Sequence, residues 1–408
     1  MTAFLPVHHL TTLDAAPLPP ARHRDLCTDC GISRTSAPER CGRACQFINP
    51  RYGELEVQAH GRARDAARGD EALFGTYLEM RRARLAVRPA GAQWSGITTR
   101  IGERLLATGA VQAVLATAAD PDDRWKPRPV LVRHAAGMAE CRGMKMGYSP
   151  VLALLDEVAR LGLTRIAVIG IPCQVHALRA LEKELGFEKL YLIGTPCSDN
   201  TTTENFHAFL RRLTPEPEHV TYCEFQPDYN VELRFDDGRT ERIPFIKLPI
   251  ADLPADFFPL TCRACFDYTN ALADVTVGYM AGAGDQWLIV RNERGRELVS
   301  LLGDELVSAE LGSAGRRRAA VKGFLGNLQR SANELPLRRA PRWARGLIAW
   351  AMPKVGPRGL EFARSRVEMK QLEGIVALRK HRPRRVLRMV PDFAWDTAAR
   401  YGLVRGES

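Results

Sequence analysis

The sequence predicts a mixed α/β fold: a mostly parallel sheet core, preceded by a cysteine-rich segment and followed by a basic helical extension. Three observations carry that expectation. Strand-like apolar runs alternate with helical stretches between residues 71 and 300. Four of the ten cysteines fall between Cys27 and Cys45. Residues 311–408 hold 22 Lys+Arg against 7 Asp+Glu, a net +15, whereas the rest of the chain sums to −4. The expected divisions are therefore 1–70, 71–300 and 301–408.

Residues 1–24 are rich in Pro and Ala and show no period. Residues 25–60 are Gly- and Arg-rich around their four cysteines, as in a loop organised by metal. Helices are expected over 72–87 and 96–108, and strands over 111–117 and 129–135. The clearest unit is VLALLDEVARLGL, RIAVIG, PCQVHALRALEKELG and KLYLIG, which reads helix–strand–helix–strand. Such alternation implies parallel strands joined by crossover helices. NVELRF and RTERIPF around Asp-Asp-Gly predict a hairpin. Residues 274–280 and 286–292 add two strands, and beyond 300 the chain is helical, basic and interrupted by proline.

The bulk numbers exclude several classes. With 45% hydrophobic and 26% charged residues, the composition is that of an ordinary soluble protein. No apolar run reaches the roughly 18–20 residues of a membrane span, and the N-terminus lacks the basic start and apolar block of a secretory signal. The expected location is cytoplasmic, where thiols stay reduced. Ten cysteines there point to metal ligands or redox groups. The basic tail suits an acidic protein partner, anionic lipid headgroups or nucleic acid, or is simply a solvated surface.

The cysteines form two groups. Cys27-x2-Cys30-x10-Cys41-x3-Cys45 places four thiolates within nineteen residues. Soft ligands of this kind select zinc or an iron–sulfur cluster, and spacing alone leaves both open. The second group is dispersed: Cys173 and Cys197 each follow an apolar strand and a Gly-x-Pro turn, and Cys262-x2-Cys265 lies further on. The carboxyl ends of neighbouring parallel strands line the ligand crevice of an open sheet, so these four can meet there. Cys223, in TYCEF, reads as core. Cys141, in AECRGMKMG, is the alternative to Cys41.

GIPCQVHALR (170–179), GTPCSDN (194–200), CRACFDYTNALADVTVGYM (262–280) and QWLIVRNERG (286–295) resemble the coenzyme F420 hydrogenase/dehydrogenase beta-subunit family. The likeness runs from Cys27 to at least Arg296, and the tail segment AMPKVGPRGLEFAR extends it. The resemblance implies two [4Fe–4S] clusters and FAD. It assigns Cys173, Cys197, Cys262 and Cys265 to a core cluster, and Cys27, Cys30 and Cys45 to an N-terminal one. Relatives often carry a further cysteine where this chain has Ser33, so Cys41 is taken as the substitute ligand. No Gly-x-Gly-x-x-Gly turn is present. WSGITTR (94–100) and CRGMKMGYSP (141–150) resemble the family's flavin-contacting loops, which makes Gly96, Thr98, Thr99, Gly143 and Lys145 the candidate FAD residues; a Ser-Gly pair before a helix is equally an ordinary cap.

The implied activity is reduction of the 8-vinyl group of a divinyl chlorophyllide to ethyl, with electrons from reduced ferredoxin, in (bacterio)chlorophyll synthesis. The alternatives are 7-hydroxymethyl chlorophyll a reduction, an F420-linked subunit, or an electron-transfer subunit with no substrate of its own. A zinc- and nucleic-acid-binding protein lacks a recognisable signature here, and nucleic acid is not an expected partner. RWARGLIAWAMPKVG (342–356) is aromatic, basic and amphipathic, so peripheral contact with a photosynthetic membrane stays open, as does homo-oligomerisation. Pro353 and Pro357 are expected to shorten any helix there. His134, His176, Asp267 and Tyr268 could donate a proton by type. None is singled out by spacing, and no catalytic acid is named.

Overall fold

The computed structural model describes residues 10–12, 27–226, 228–254, 256–278, 284–330 and 341–406. The expectations for most of 1–24, and for Tyr279 and Met280, lie outside them. The strands of the main sheet are β1 (Leu10–Thr12), β2 (Glu79–Leu85), β3 (Ala113–Ala119), β4 (Pro127–Val132), β5 (Arg165–Gly170) and β6 (Lys189–Gly194). A three-stranded antiparallel sheet follows from β7 (Val220–Phe225), β8 (Asn230–Phe235) and β9 (Thr240–Pro244), and β10 (Val275–Gly278), β11 (Gln286–Val290) and β12 (Leu306–Ala309) return to the main sheet. Its order is β1-β4-β3-β5-β6-β10-β11-β2-β12.

The parallel part is the centre, β3-β5-β6-β10, and both flanks are antiparallel. Central strands read as continuous apolar runs because helices cover both faces. Helix α1 (Ile97–Ala107) packs Ile97, Ile101 and Leu105 on Ala167, Tyr191 and Ile193. Helix α2 (Pro172–Leu185) packs Val175, Leu178 and Leu181 on Ile166, Val168, Leu190 and Leu192, the alternate residues of the same strands. The hairpin forms as expected, with Gly238 in the left-handed conformation of its turn.

The helix expected over 72–87 does not form. A single turn, Glu71–Phe74, ends at Gly75, whose φ is 77° and whose α-carbon lies against Ala271. The remainder is strand β2, in which Ala83 and Leu85 are buried and Arg84 is exposed, an alternation with period two.

The C-terminal helices are α3 (Arg317–Arg330), α4 (Arg342–Val355), α5 (Leu360–His381) and α6 (Asp392–Ala399). Pro353 does not shorten α4: it sits in the last turn, where one ladder bond is lost and the Gly356 N–H still reaches Met352 O at 2.9 Å. Val321, Leu372, Ile375, Leu378 and Trp395 share a core with Phe47 and Phe266, against which Cys45, Cys173 and Cys265 also pack. This part of the chain is thus built onto the cysteine-bearing loops. No helix among the described residues is long and apolar enough to cross a membrane.

Candidate metal centre

Strands β5 and β6 are in register, with Gly170 opposite Gly194, so the turns after them present Cys173 and Cys197 at the same sheet edge. Pro172 is the first residue of α2, where a missing N–H costs nothing, and Cys173 is the second. The Thr195 N–H donates to Gly170 O at 3.0 Å, and Asn270 Nδ2 donates to Gly170 O at 2.8 Å, fixing one turn against the other. A Cβ at position 194 would stand 2.7 Å from the Asn270 side chain, so glycine is a steric requirement there. Cys262 and Cys265 come from the short helix Leu260–Arg263 and the turn after it. The Cys197 N–H donates to Tyr268 O at 3.0 Å, which ties that loop to the strand ends. All four sulfur-bearing residues line one cavity, together with Thr28, Gln46, Tyr148 and Asp199.

The N-terminal group is held against this edge. The Leu152 N–H donates to Cys30 O at 3.0 Å, and Gly31 (φ 112°) leaves no room for a Cβ beside the Ala153 nitrogen. Arg34 Nε binds Asp29 Oδ1 at 2.6 Å and closes the Cys27–Cys30 turn. Cys41 opens the turn Cys41–Ala44, and the Cys45 N–H returns to Cys41 O at 3.0 Å. Cys41 and Cys45 lie within electrostatic reach of each other and of both Cys27 and Cys30, and Cys30 is also within reach of Cys173. The Thr28 hydroxyl bonds Cys173, so the two groups adjoin. Among the described residues, no three His, Cys, Asp or Glu side chains converge closely enough to hold a single metal ion.

Burial pushes the thiols up: Cys262 to about 12, and Cys45 and Cys265 to about 11. Cys141 is pushed up to about 11 as well, and Cys223 is also raised, so burial does not separate candidate ligands from core cysteines. Position does. Cys223 lies in β7 among Phe206, Val220 and Leu233, and Cys141 packs on the core beneath α1. The candidate ligands also have donors aimed at sulfur: Asp29 N–H at Cys27 (3.4 Å), Gln46 Nε2 at Cys265 (3.6 Å), and backbone amides at Cys30 and Cys45. Such donors stabilise thiolates and are the usual outer partners of metal-bound sulfur.

One residue was not foreseen. Lys370 on α5 is almost fully buried, with Nζ 2.6 Å from Asp199 Oδ1 and 3.3 Å from Glu373 Oε2. Burial alone would lower it, but the two carboxylates hold it above the ordinary lysine value. Its charge acts on Cys197, Cys262 and Cys265, so the cavity has a built-in cation.

The candidate flavin residues lie beside one another and off this cavity's lining. Arg142 donates to Ala90 O at 3.0 Å, and the Met144 N–H to Gln93 Oε1 at 3.2 Å, which brings the 141–150 loop onto the 88–100 loop. Gly96 (φ 85°) opens α1 and Gly143 (φ 83°) faces Gly91 O. Thr98 is half-buried. Thr99 and Lys145 bond within the protein: Thr99 Oγ1 to Gly96 O (3.2 Å), and Lys145 Nζ to Cys141 O (2.8 Å) and Arg142 O (2.7 Å). Burial lowers Lys145 to about 8. The 141–150 loop then runs on to Tyr148 in the cysteine cavity, which connects the two regions. Of the proton-donor candidates, His176 is fully buried, its Nδ1 donates to Ala44 O at 3.0 Å, and burial lowers it to about 4, which keeps it neutral. The Asp267 carboxylate is engaged by the Ala271 N–H at 3.0 Å.

These strand-end turns and the CFDYTNALAD loop define a family of oxidoreductase subunits. The chain belongs to the coenzyme F420 hydrogenase/dehydrogenase beta-subunit family, with residues 80–156 matching its N-terminal model and 163–309 its C-terminal model. It is 39% identical over 354 residues to the 7-hydroxymethyl chlorophyll a reductase of Oryza sativa subsp. japonica, covering 84% of this chain and 75% of that protein. It is 35% identical over 404 residues to an uncharacterized protein of Nostoc sp., covering 99% of this chain and all of that one. A subunit of the F420-reducing [NiFe] hydrogenase complex from Methanosarcina barkeri shares the fold, with a TM-score of 0.58 at 18% identity over 76% of this chain and 93% of that one.

Proposed function

We propose that this chain is an iron–sulfur flavoprotein that reduces the 8-vinyl group of a divinyl chlorophyllide to ethyl, with electrons from reduced ferredoxin, in (bacterio)chlorophyll synthesis. The observation that carries the reading is the adjacency of two cysteine quartets, joined through Thr28 and Cys173, next to a pair of glycine-bearing loops. In this reading Cys173, Cys197, Cys262 and Cys265 hold one [4Fe–4S] cluster, and Cys27, Cys30, Cys41 and Cys45 the other. Gly96, Thr98, Thr99, Gly143 and Lys145 surround FAD. When bound, such clusters would supply single electrons and a flavin would supply a hydride; vinyl reduction needs that hydride and one proton.

The chain's own contribution is electrostatic and positional. The donors aimed at sulfur favour the thiolate form, and the Lys370 ammonium offsets negative charge at the core quartet. Arg384, Arg385 and Arg388 are exposed, and Arg388 donates to Ile48 O at 3.0 Å, three residues past Cys45. An acidic one-electron carrier drawn to this patch would arrive beside the N-terminal quartet.

Two experiments follow. Chain purified without oxygen, given reduced ferredoxin and divinyl chlorophyllide a, should yield the 8-ethyl product. Turnover of 7-hydroxymethyl chlorophyll a alone would favour the second reading, which the identity to the rice reductase supports. With ferredoxin limiting, the second-order rate should fall steeply as salt shortens the Debye length from about 10 Å at 0.1 M to about 3 Å at 1 M. Replacing Arg382, Arg384, Arg385 and Arg388 with Gln should give the high-salt behaviour at low salt. An unchanged salt profile would mean that the carrier docks elsewhere.

A further inference from the structure

Helix α4 carries two apolar faces, and among the described residues only one of them is packed against the protein. Ile348 and Met352 are half-buried, and the helix packs on the Phe245–Lys247 turn of the three-stranded sheet. Its C-terminal end is clamped there: the Tyr229 hydroxyl donates to Pro357 O at 2.7 Å, and Gly356 lies against the same ring. The opposite face is Trp343, Leu347 and Trp350, at i, i+4 and i+7, which are 73%, 56% and 63% exposed. Lys354 Nζ sits 3.4 Å from the Trp350 ring centroid, and Lys247 is exposed nearby.

We propose that this face of α4 lies on an anionic lipid surface. Three large apolar side chains in one exposed row, two of them tryptophans, mark an interaction site rather than ordinary scatter. Tryptophan is the residue best suited to the headgroup region, with an apolar body and one polar N–H. The helix has no acidic residue between positions 342 and 355, and it lies in the part of the chain that carries +15. Charge therefore selects an anionic surface over a neutral one, and over a basic protein face. The helix is clamped to the body rather than free, so a bound protein would be held in one orientation. This inference stands independently of the cofactor assignments.

The test is flotation of the full chain with vesicles of phosphatidylcholine alone, and of phosphatidylcholine mixed with phosphatidylglycerol, read alongside tryptophan emission. Binding to the mixed vesicles, with a blue shift, is expected. W343S and W350S should each weaken it by about tenfold, since each removes a large apolar area from the lipid contact. Both residues are exposed, so folding and solution activity should be unaffected. K354Q should reduce the preference for the anionic vesicles. A chain that stays in solution with the mixed vesicles overturns the proposal. So does equal binding by the W343S/W350S variant, which would move the contact elsewhere. If an acidic carrier protein, and not vesicles, shields these tryptophans from acrylamide, the face belongs to a protein partner and the proposal fails.

Discussion

Replacing Cys262 with alanine should lower the iron content from about eight to about four per chain and leave one cluster's signal intact. Cys262 lines the cavity with Cys173, Cys197 and Cys265, and each sulfur in a four-iron cage binds a different iron, so losing one corner removes its holder. Cys265→Ala should behave alike. Cys223→Ala is the control: Cys223 is fully buried in the core of the small sheet, and its loss should leave iron unchanged. Cys41→Ser should weaken the other signal, whereas Cys141→Ser should not, because Cys141 packs under α1 away from both quartets. Equal iron loss from the Cys223 variant, or full iron in the Cys262 variant, would mean that the ligand set is drawn wrongly.

Asp274→Ala should cost stability on a different scale. Asp274 and Arg179 are both completely buried, with Arg179 Nη2 2.7 Å from Asp274 Oδ1. The same carboxylate accepts from the Leu192 N–H (2.7 Å), Asn292 Nδ2 (2.8 Å) and Arg294 Nε (2.9 Å). Removing it strands a buried guanidinium, which typically costs about 3–5 kcal/mol; the lower end applies because Glu182 still pairs with Arg179 at 2.9 Å. Burial alone would raise the Asp274 carboxyl, but Arg179 and Arg294 hold it below the ordinary aspartate value. Its folded pKa is therefore the lower one. The pair's contribution is complete above the unfolded value of about 3.9 and is lost as pH falls through the folded value. Urea unfolding of wild type and variant at neutral pH checks this, and a loss under about 1 kcal/mol would contradict it.

What the sequence disclosed was the part governed by local rules. The units around Gly170 and Gly194 were legible because β5 and β6 are short apolar runs ended by Gly-x-Pro, and the structure puts their cysteines on one edge. The hairpin was legible from Asp-Asp-Gly. Strand β2 was not: three of its seven residues are arginines, two of them half-buried, which favour helix as readily as strand, and its pairing partners β11 and β12 lie some 200 residues away. Only the sheet reveals that Ala83 and Leu85 share a face.

Lys370 shows the same limit at the site. On α5 it falls in the row Ala363, Val367, Lys370, Gly374, which is otherwise small or apolar, and a lysine in such a row is the one sequence signal available. That signal says buried, but not beside what. The answer depends on Asp199, 171 residues earlier, and on the close approach of Gly374 to Phe266 that seats α5 on the cysteine loop. Likewise Lys145 reads as a free phosphate ligand in sequence, whereas its ammonium is held by the Cys141 and Arg142 carbonyls. Chemistry-bearing residue types were visible one by one; their partners were not.

The central claim is that eight cysteines hold two clusters next to a flavin, and metal, sulfide and flavin analysis of anaerobically purified chain tests it most directly. About eight irons, about eight acid-labile sulfides and one FAD per chain are expected, with the broad visible absorption of iron–sulfur overlaid on the flavin bands. Stoichiometric zinc, with no labile sulfide and no flavin, would contradict it.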